Sequence, residues 1–170
     1  MKPVMQTEIH LGHGDCQRAV IASLLELDPQ MVPHFAMFRA RYWWHVLHYF
    51  LYALGWELEG CMNPPIDERF HANLAECGID GYHYAGVYSR TYPDVKPRVT
   101  HAVIIDSQGV VVHDPNPNQL WAGENVFEQS DIVASDLCIY LMKPREGMEE
   151  QLAEKRLPPL GRYEKGVSDE

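Results

Sequence analysis

Residues 13–27 read HGDCQRAVIASLLEL, and this stretch decides the predicted fold. Its mostly apolar residues recur at helical spacing: Cys16, Val20, Ser23, Leu24 and Leu27. The pattern predicts an amphipathic helix over Cys16–Leu27, with Asp15 as a good N-cap. A helix N-terminus stabilises negative charge through its dipole and its unpaired N–H groups, so a cysteine at this position is suited to thiolate chemistry.

The rest of the chain predicts further helices, then strands. Helical patterns cover Arg41–Leu54 and Asp67–Cys77. Strand patterns cover Trp56–Met62, Tyr82–Tyr88, Val99–Ile105, Val110–His113 and Leu137–Met142. Because adjacent strands follow the helices without regular βαβ alternation, the predicted class is α+β, with a central helix carrying Cys16 packed on an antiparallel sheet. Residues 1–145 are predicted to form one domain, and residues 146–170 a charged tail with a surface helix over Met148–Arg156.

Composition narrows the possible partners and surroundings. The 170 residues are 46% apolar and carry a formal net charge of −10, which disfavours binding to nucleic acid or to anionic lipid. No segment has the apolar length of a membrane span, and Met1–Glu8 lacks a signal-peptide core. The four cysteines (Cys16, Cys61, Cys77 and Cys138) are scattered, without paired zinc-type spacing. We therefore expect a cytoplasmic protein without a metal or other cofactor.

A histidine and a carboxylate, His101 and Asp114, lie on the two predicted strands that flank Ser107-Gln108. If these two residues form the whole loop, His101 lies directly opposite Asp114, with Cβ atoms roughly 4.5–5.5 Å apart. A type I turn with a bulge instead places Pro115 opposite His101, and Asp114 then reaches the histidine from the strand end. Both registers remain open at this stage.

Cys16, His101 and Asp114 are the types of residue that nucleophilic thiol chemistry requires. An imidazole beside Cys16 would take its proton, and a carboxylate would orient that imidazole. An oxyanion needs donors, for which the Cys16 backbone N–H and the Gln6 side-chain amide are candidates, and Gln17 is the less suitable alternative. His113 is the alternative base, but its place beside Asp114 predicts that it points to the opposite face of the sheet.

The motifs resemble those of the papain-like cysteine peptidase superfamily, and most closely its bacteriocin-processing (double-glycine leader) peptidases. They are Gln6, Gly14-Asp15-Cys16, His101-Ala102-Val103-Ile104-Ile105 and Val112-His113-Asp114-Pro115. The resemblance implies Cys16 as nucleophile, His101 as base, Asp114 as orienting carboxylate and Gln6 as oxyanion donor. Three features differ from that branch: Gln17 replaces the usual glycine, Val20-Ile21-Ala22 lacks a second cysteine, and the interval from Gln6 to Cys16 is longer.

The expected function is a cysteine-dependent hydrolase of the peptidase, isopeptidase or amidase type. It would act on a peptide or protein substrate through a thioester intermediate. An acyltransferase or a glutamine deamidase could use the same three residues, and a non-catalytic module binding a peptide or ligand is the alternative outside enzymes.

Two further groups of residues allow a functional interpretation. His10 and His13 could contribute to a zinc site with His101 or Asp114, but their spacing matches no closed structural zinc site. Tyr82, Tyr84 and Tyr88 could line a substrate groove, although tyrosines on a half-buried strand need no such role.

Overall fold

The computed structural model describes residues 1–38, 42–62, 67–129 and 137–148, together with residue 152. The helices are α1 (Cys16–Leu25), α2 (Trp43–Ala53) and α3 (Glu68–Glu76), with two short 3₁₀ turns, Pro29–Met31 and Phe35–Met37. The strands are β1 (Trp56–Met62), β2 (Tyr82–Tyr88), β3 (Thr100–Asp106), β4 (Val111–His113) and β5 (Cys138–Pro144). The α+β class predicted from the sequence is confirmed. Within these ranges, the helices are all too short or too polar to cross a membrane.

All five strands form one antiparallel sheet in the order β1-β5-β2-β3-β4. The last strand of the chain, β5, lies between β1 and β2 and pairs with both. The central strand β2 pairs along its full length with β3. This arrangement places β5, β2 and β3 side by side, with α1 packed against β2 and β3 and α2 against β1.

Each face of the sheet is covered, and the alternation along β3 shows why. Ala102 and Ile104 belong to the core that includes the buried residues of α1 and α2. Val103 and Ile105 belong to a second core with the inner face of α3 and Trp121. Because successive strand residues point to opposite faces, a strand buried on both faces must be apolar throughout, as residues 102–105 are.

Most helix and strand boundaries differ from the sequence prediction by one or two residues, whereas β1 and β2 have the predicted bounds. Helix α1 ends at Leu25, two residues early, because Glu26 adopts the left-handed conformation (φ 55°) and Leu27 N then donates to Ala22 O. Met148 and Leu152, at the start of the predicted tail, lie against Gly55. Of the predicted helix Met148–Arg156 only residues 148 and 152 are described, and the domain boundary at residue 145 stays a prediction.

Candidate active site

Cys16 is the first residue of α1 and lines a cavity of about 510 Å³. Its thiol is half-buried and is not part of a disulfide. Gln6 and His101 line the same cavity, and Asp114 lies buried behind His101. The structure therefore brings together all four residues that the sequence analysis selected, although they come from the entry segment, α1, β3 and the end of β4.

Asp15 holds the entry segment rather than capping the helix. It occupies the N-cap position, yet its carboxylate accepts from Thr7 N (3.0 Å), Thr7 Oγ1 (2.8 Å) and Glu8 N (2.9 Å), and among the described residues it makes no cap bond. The predicted capping role is therefore wrong, because the N–H groups of the entry segment bind this carboxylate. Asp15 instead ties the segment that carries Gln6 to the start of α1.

The hairpin register explains how Asp114 reaches His101. Asp106 N donates to Val110 O, and Ile105 pairs with Val111, so the two-residue loop is wrong and the bulged turn is correct. A further irregularity brings His113 opposite Ile104, which shifts the pairing by one more residue. Asp114 consequently lies just past the end of β4 and approaches the histidine from the strand end.

His101 and Asp114 form a close, buried pair. His101 Nε2 donates to Asp114 Oδ1 at 2.7 Å, and the Asp114 side chain is fully buried. Burial lowers the pKa of His101, but the hydrogen bonds to Asp114 and Cys16, with the charges of both groups, outweigh it and raise the pKa to about 9. Burial raises the pKa of Asp114, yet the bonds from His101, Asn116 N and Trp121 N lower it overall.

Cys16 is a close neighbour of the His101 ring. Both residues line the cavity, and Cys16 contributes to the raised pKa of His101. Because Asp114 takes Nε2, the remaining ring nitrogen, Nδ1, is left for the thiol. An imidazole oriented by a carboxylate in this way can exchange a proton with a nucleophile.

Gln6 lines the cavity, and its side-chain amide makes one hydrogen bond. The residue is only 7% exposed, and its Nε2 donates to Glu8 O at 3.3 Å. Its Oε1 is buried without a hydrogen-bond partner among the described residues. A side-chain amide has two N–H groups, and the bond to Glu8 uses one, so a second donor remains for an oxyanion.

Gln17 is engaged in a different network. Its Nε2 donates to Tyr84 Oη at 3.0 Å, and both side chains line the cavity. Tyr84 stacks on Tyr140 with ring centroids 4.1 Å apart, and Tyr140 forms a side-chain hydrogen bond with Cys138. Burial raises the pKa of Tyr84, so its hydroxyl stays protonated at neutral pH. Of the three tyrosines considered above, Tyr84 therefore faces the cavity.

The cavity floor is a row of three small residues on neighbouring strands. Gly86 of β2 pairs directly with Cys138 of β5 and with Ala102 of β3, and all three line the cavity. The next row along the strands is bulky, because Tyr84 pairs with Tyr140 and Ile104. The small row therefore leaves open space over the sheet beside an aromatic wall.

His113 holds the entry segment. Its Nε2 donates to Val4 O at 2.9 Å, and its pairing with Ile104 places it on the face of the sheet that α1 covers. The side chain is buried by that contact. Its position is consistent with a structural role, and the assignment of the base to His101 stays a prediction supported by the geometry above.

Two residues behind the His–Asp pair were not selected from the sequence. Trp121 is fully buried and its backbone N donates to Asp114 Oδ2 at 3.0 Å, while Asn116 N donates to Asp114 Oδ1 at 2.9 Å. The Arg90 guanidinium lies over the Trp121 ring, 3.6 Å from its centroid. The sequence indicated neither contact, because Asp114-Pro115-Asn116 predicts only the end of a strand.

Metal binding has no support in the described parts of the chain, where no three His, Cys, Asp or Glu side chains are grouped to hold an ion. The His10 and His13 rings lie 5.6 Å apart, and His10 Nδ1 donates to Leu11 O at 2.9 Å.

In comparisons with known proteins, no protein-family model, curated protein or solved structure matches this chain.

Proposed function

We propose that this protein is a cysteine-dependent hydrolase of papain-like type, which cleaves amide bonds with Cys16, His101 and Asp114. The observation that carries the proposal is the position of His101, which donates to buried Asp114 at 2.7 Å and lines the same cavity as Cys16, the neighbour that helps to raise its pKa. Cys16 and His101 line a cavity large enough for a small ligand.

The raised pKa of His101, about 9, makes the imidazolium the main form near neutral pH. A positive charge beside the sulfur stabilises the thiolate form of Cys16. The thiolate attacks the carbonyl carbon, and the C–N bond then breaks as His101 gives its proton to the leaving amine. Water, deprotonated by His101, next attacks the thioester and releases a carboxylic acid and the Cys16 thiolate, which restores the imidazolium.

Oxyanion stabilisation completes the proposed machinery. The Cys16 backbone N–H lies at the start of α1, where the helix dipole favours negative charge. Gln6 supplies its remaining amide N–H from the facing wall. Donors placed in this way act on the tetrahedral intermediate more than on the bound substrate.

Cysteine labelling tests the proposal with an internal control. Cys138 lines the same cavity as Cys16 and is hydrogen-bonded to Tyr140, so both thiols meet the same reagent. Limiting iodoacetamide at pH 7, followed by peptide mass spectrometry, should modify Cys16 roughly tenfold faster or more than Cys138.

The His101→Ala variant should bring the labelling rate of Cys16 down to that of Cys138. Equal rates for Cys16, Cys77 and Cys138 in the unmodified protein would refute an activated nucleophile. They would favour the non-catalytic binding module instead.

A further inference from the structure

His83 of β2 is a buried histidine that the proposed chemistry does not use. Its side chain is 1% exposed, and neither ring nitrogen has a hydrogen-bond partner among the described residues. Because strand side chains alternate, His83 and Ala85 point away from the cavity that Tyr84 lines. His83 therefore lies on the face of the sheet that carries the second core, to which Ala85 and the buried side of α3 belong.

The ring of His83 is closed in by the turn that follows α3. A Cβ at Gly78 would lie 2.7 Å from His83 Cε1, so a larger residue at this position would strike the ring. Gly78 N donates to Met142 O of β5 at 2.7 Å, which holds the turn over the ring. The histidine is thus covered by a segment that is bonded across to the far side of β2.

The covering segment has few anchors of its own. Residues 67–78, which contain α3 and this turn, are named here the α3 cover. Phe70 and Leu74 are the two buried residues of the helix. The next residue with a firm hold is Ile79, which belongs to the first core. A segment with few buried apolar contacts opens locally at a lower cost than the core does.

Protonation of His83 would place a charge without a partner in this closed site. An imidazolium has two N–H donors, and neither nitrogen has an acceptor among the described residues. Ile105, the partner of His83 in β3, and Gly78 carry no charge. The buried ring would therefore hold its charge without a hydrogen bond.

Burial and one carboxylate set the charge state of His83. Burial lowers the pKa of His83, and the negative charge of Asp106 on β3 only partly offsets this effect. The Asp106 carboxylate already accepts from Gln108 N and Val110 N. A thiol and a phenol lie beside the site in the chain, at Cys77 and Tyr82, and neither is a cause of the lowered pKa.

We propose that His83 is an acid-sensitive switch: when its ring takes up a proton, the α3 cover separates from the sheet, while α1 and the candidate active site stay folded. Separation lets water hydrate a cation that is costly to bury without a partner. The two cores lie on opposite faces of the sheet, so the second can open while the first stays packed. The inference does not depend on the proposed thiol hydrolase function.

The pH range of the switch follows from the direction of the pKa change. Well above the ordinary value of 6.5, His83 is neutral whether the cover is closed or open. Below it, the open form binds a proton that the closed form does not, so opening is favoured by up to about tenfold for each pH unit. His101, with its raised pKa, stays protonated in this range, and carboxylates titrate mainly below about pH 5.

Hydrogen exchange followed by mass spectrometry tests the switch on the full chain at pH 7.5, 6.5 and 5.5. Each exchange rate is divided by the intrinsic rate at that pH, and peptides of α1 serve as the internal reference. Protection of the α3 amides should fall by up to about tenfold between pH 7.5 and pH 5.5, whereas protection of α1 should not fall.

Two variants remove the titrating group, and a third is the matched control. In His83→Phe and in His83→Gln, protection of α3 should not change with pH over this range. Because His71 is an exposed histidine on the same helix, His71→Gln should keep the fall seen in the unmodified protein.

Equal protection of α3 at pH 7.5 and pH 5.5 in the unmodified protein would overturn the inference without any variant. A parallel loss of protection in α1 would also overturn it, because acid would then unfold the whole chain. A fall that persists in the His83 variants would assign the acid response to another group.

Discussion

His101 is the residue on which the proposed chemistry depends most. Its Nε2 donates to the buried Asp114 carboxylate at 2.7 Å, and the neighbouring Cys16 helps to raise its pKa. His113, only twelve residues later, is buried, but it is bonded to a backbone carbonyl of the entry segment. The two histidines therefore form a matched pair for mutation.

His101→Ala should abolish turnover, because no other described imidazole is bonded to Asp114. His113→Ala should lower stability by losing its bond to Val4 O but should keep turnover in the folded fraction.

Asp114→Asn should slow turnover by about 10⁴-fold, as loss of an orienting carboxylate does in serine triads. Steady-state kinetics at fixed pH measures all three, and a loss of turnover confined to His113→Ala would transfer the base role.

Gln6 acts on a different step, so its removal should have a different signature. Gln6→Ala should lower kcat by roughly 10²–10³ while leaving iodoacetamide labelling of Cys16 nearly unchanged, because alkylation forms no tetrahedral oxyanion. Gln6→Glu keeps the shape and removes both N–H donors, so it should show the same loss. Unchanged turnover in both variants would leave the oxyanion to other donors, such as Gln17. A parallel loss of labelling would give Gln6 a structural role instead.

At the scale of the elements, the start of α1 depends on the entry segment. The Asp15 carboxylate binds Thr7 and Glu8 and so positions Gln6, one residue earlier, against the helix. Asp15→Ala should lower the free energy of unfolding by about 3 kcal/mol, since three donors lose a charged, largely buried acceptor. Urea denaturation measures the change.

Asp28→Ala is the control for Asp15→Ala. Its exposed carboxylate accepts from Gln30 N at the first 3₁₀ turn, and its loss should cost about 1 kcal/mol. If the two variants were equally stable, the Asp15 contacts would not hold the entry segment.

The strand rows beneath the cavity allow a second test at this scale. A Cβ at Gly86 would lie 3.7 Å from Cys138 O, an ordinary contact, so Gly86→Ala should fold, and a thioester of N-acetyl-phenylalanine should acylate its Cys16 normally. Gly86→Val extends the side chain over the floor and should slow acylation by N-acetyl-phenylalanine thioesters roughly tenfold or more. Iodoacetamide labelling of Cys16 should persist in both variants. Normal acylation of Gly86→Val would place the acyl group elsewhere.

At the scale of the whole molecule, the His101 pKa links the site to stability. The folded pKa of about 9 exceeds the ordinary value of 6.5. The stability that His101 contributes is therefore fully present below about pH 6.5 and is lost as the pH rises through about 9. Urea denaturation across this window should show the stability advantage of the unmodified protein over His101→Ala narrowing. His113→Ala should keep the pH dependence of the unmodified protein, and parallel curves for His101→Ala would contradict the linkage.

Local sequence patterns alone predicted much of the secondary structure and the candidate site residues. The spacing of apolar residues predicted α1 and its first residue, and runs of β-branched and aromatic residues predicted β1 and β2 with the bounds that the structure has. Selection of Cys16, His101, Asp114 and Gln6 also needed only residue types and order. These features depend on the helix period, the strand period and turn chemistry, which act between residues close in sequence.

Tertiary structure decided what depends on residues distant in sequence. Asp15 looked like a cap, but the entry segment folds back and binds its carboxylate. The path of Asp114 to His101 followed from an irregularity in the β3–β4 pairing that residue types do not specify. Asn116 and Trp121 entered the site through backbone N–H groups, which every residue type except proline carries. The partners of such groups depend on which segments the fold brings together, and that is why only the packed chain revealed them.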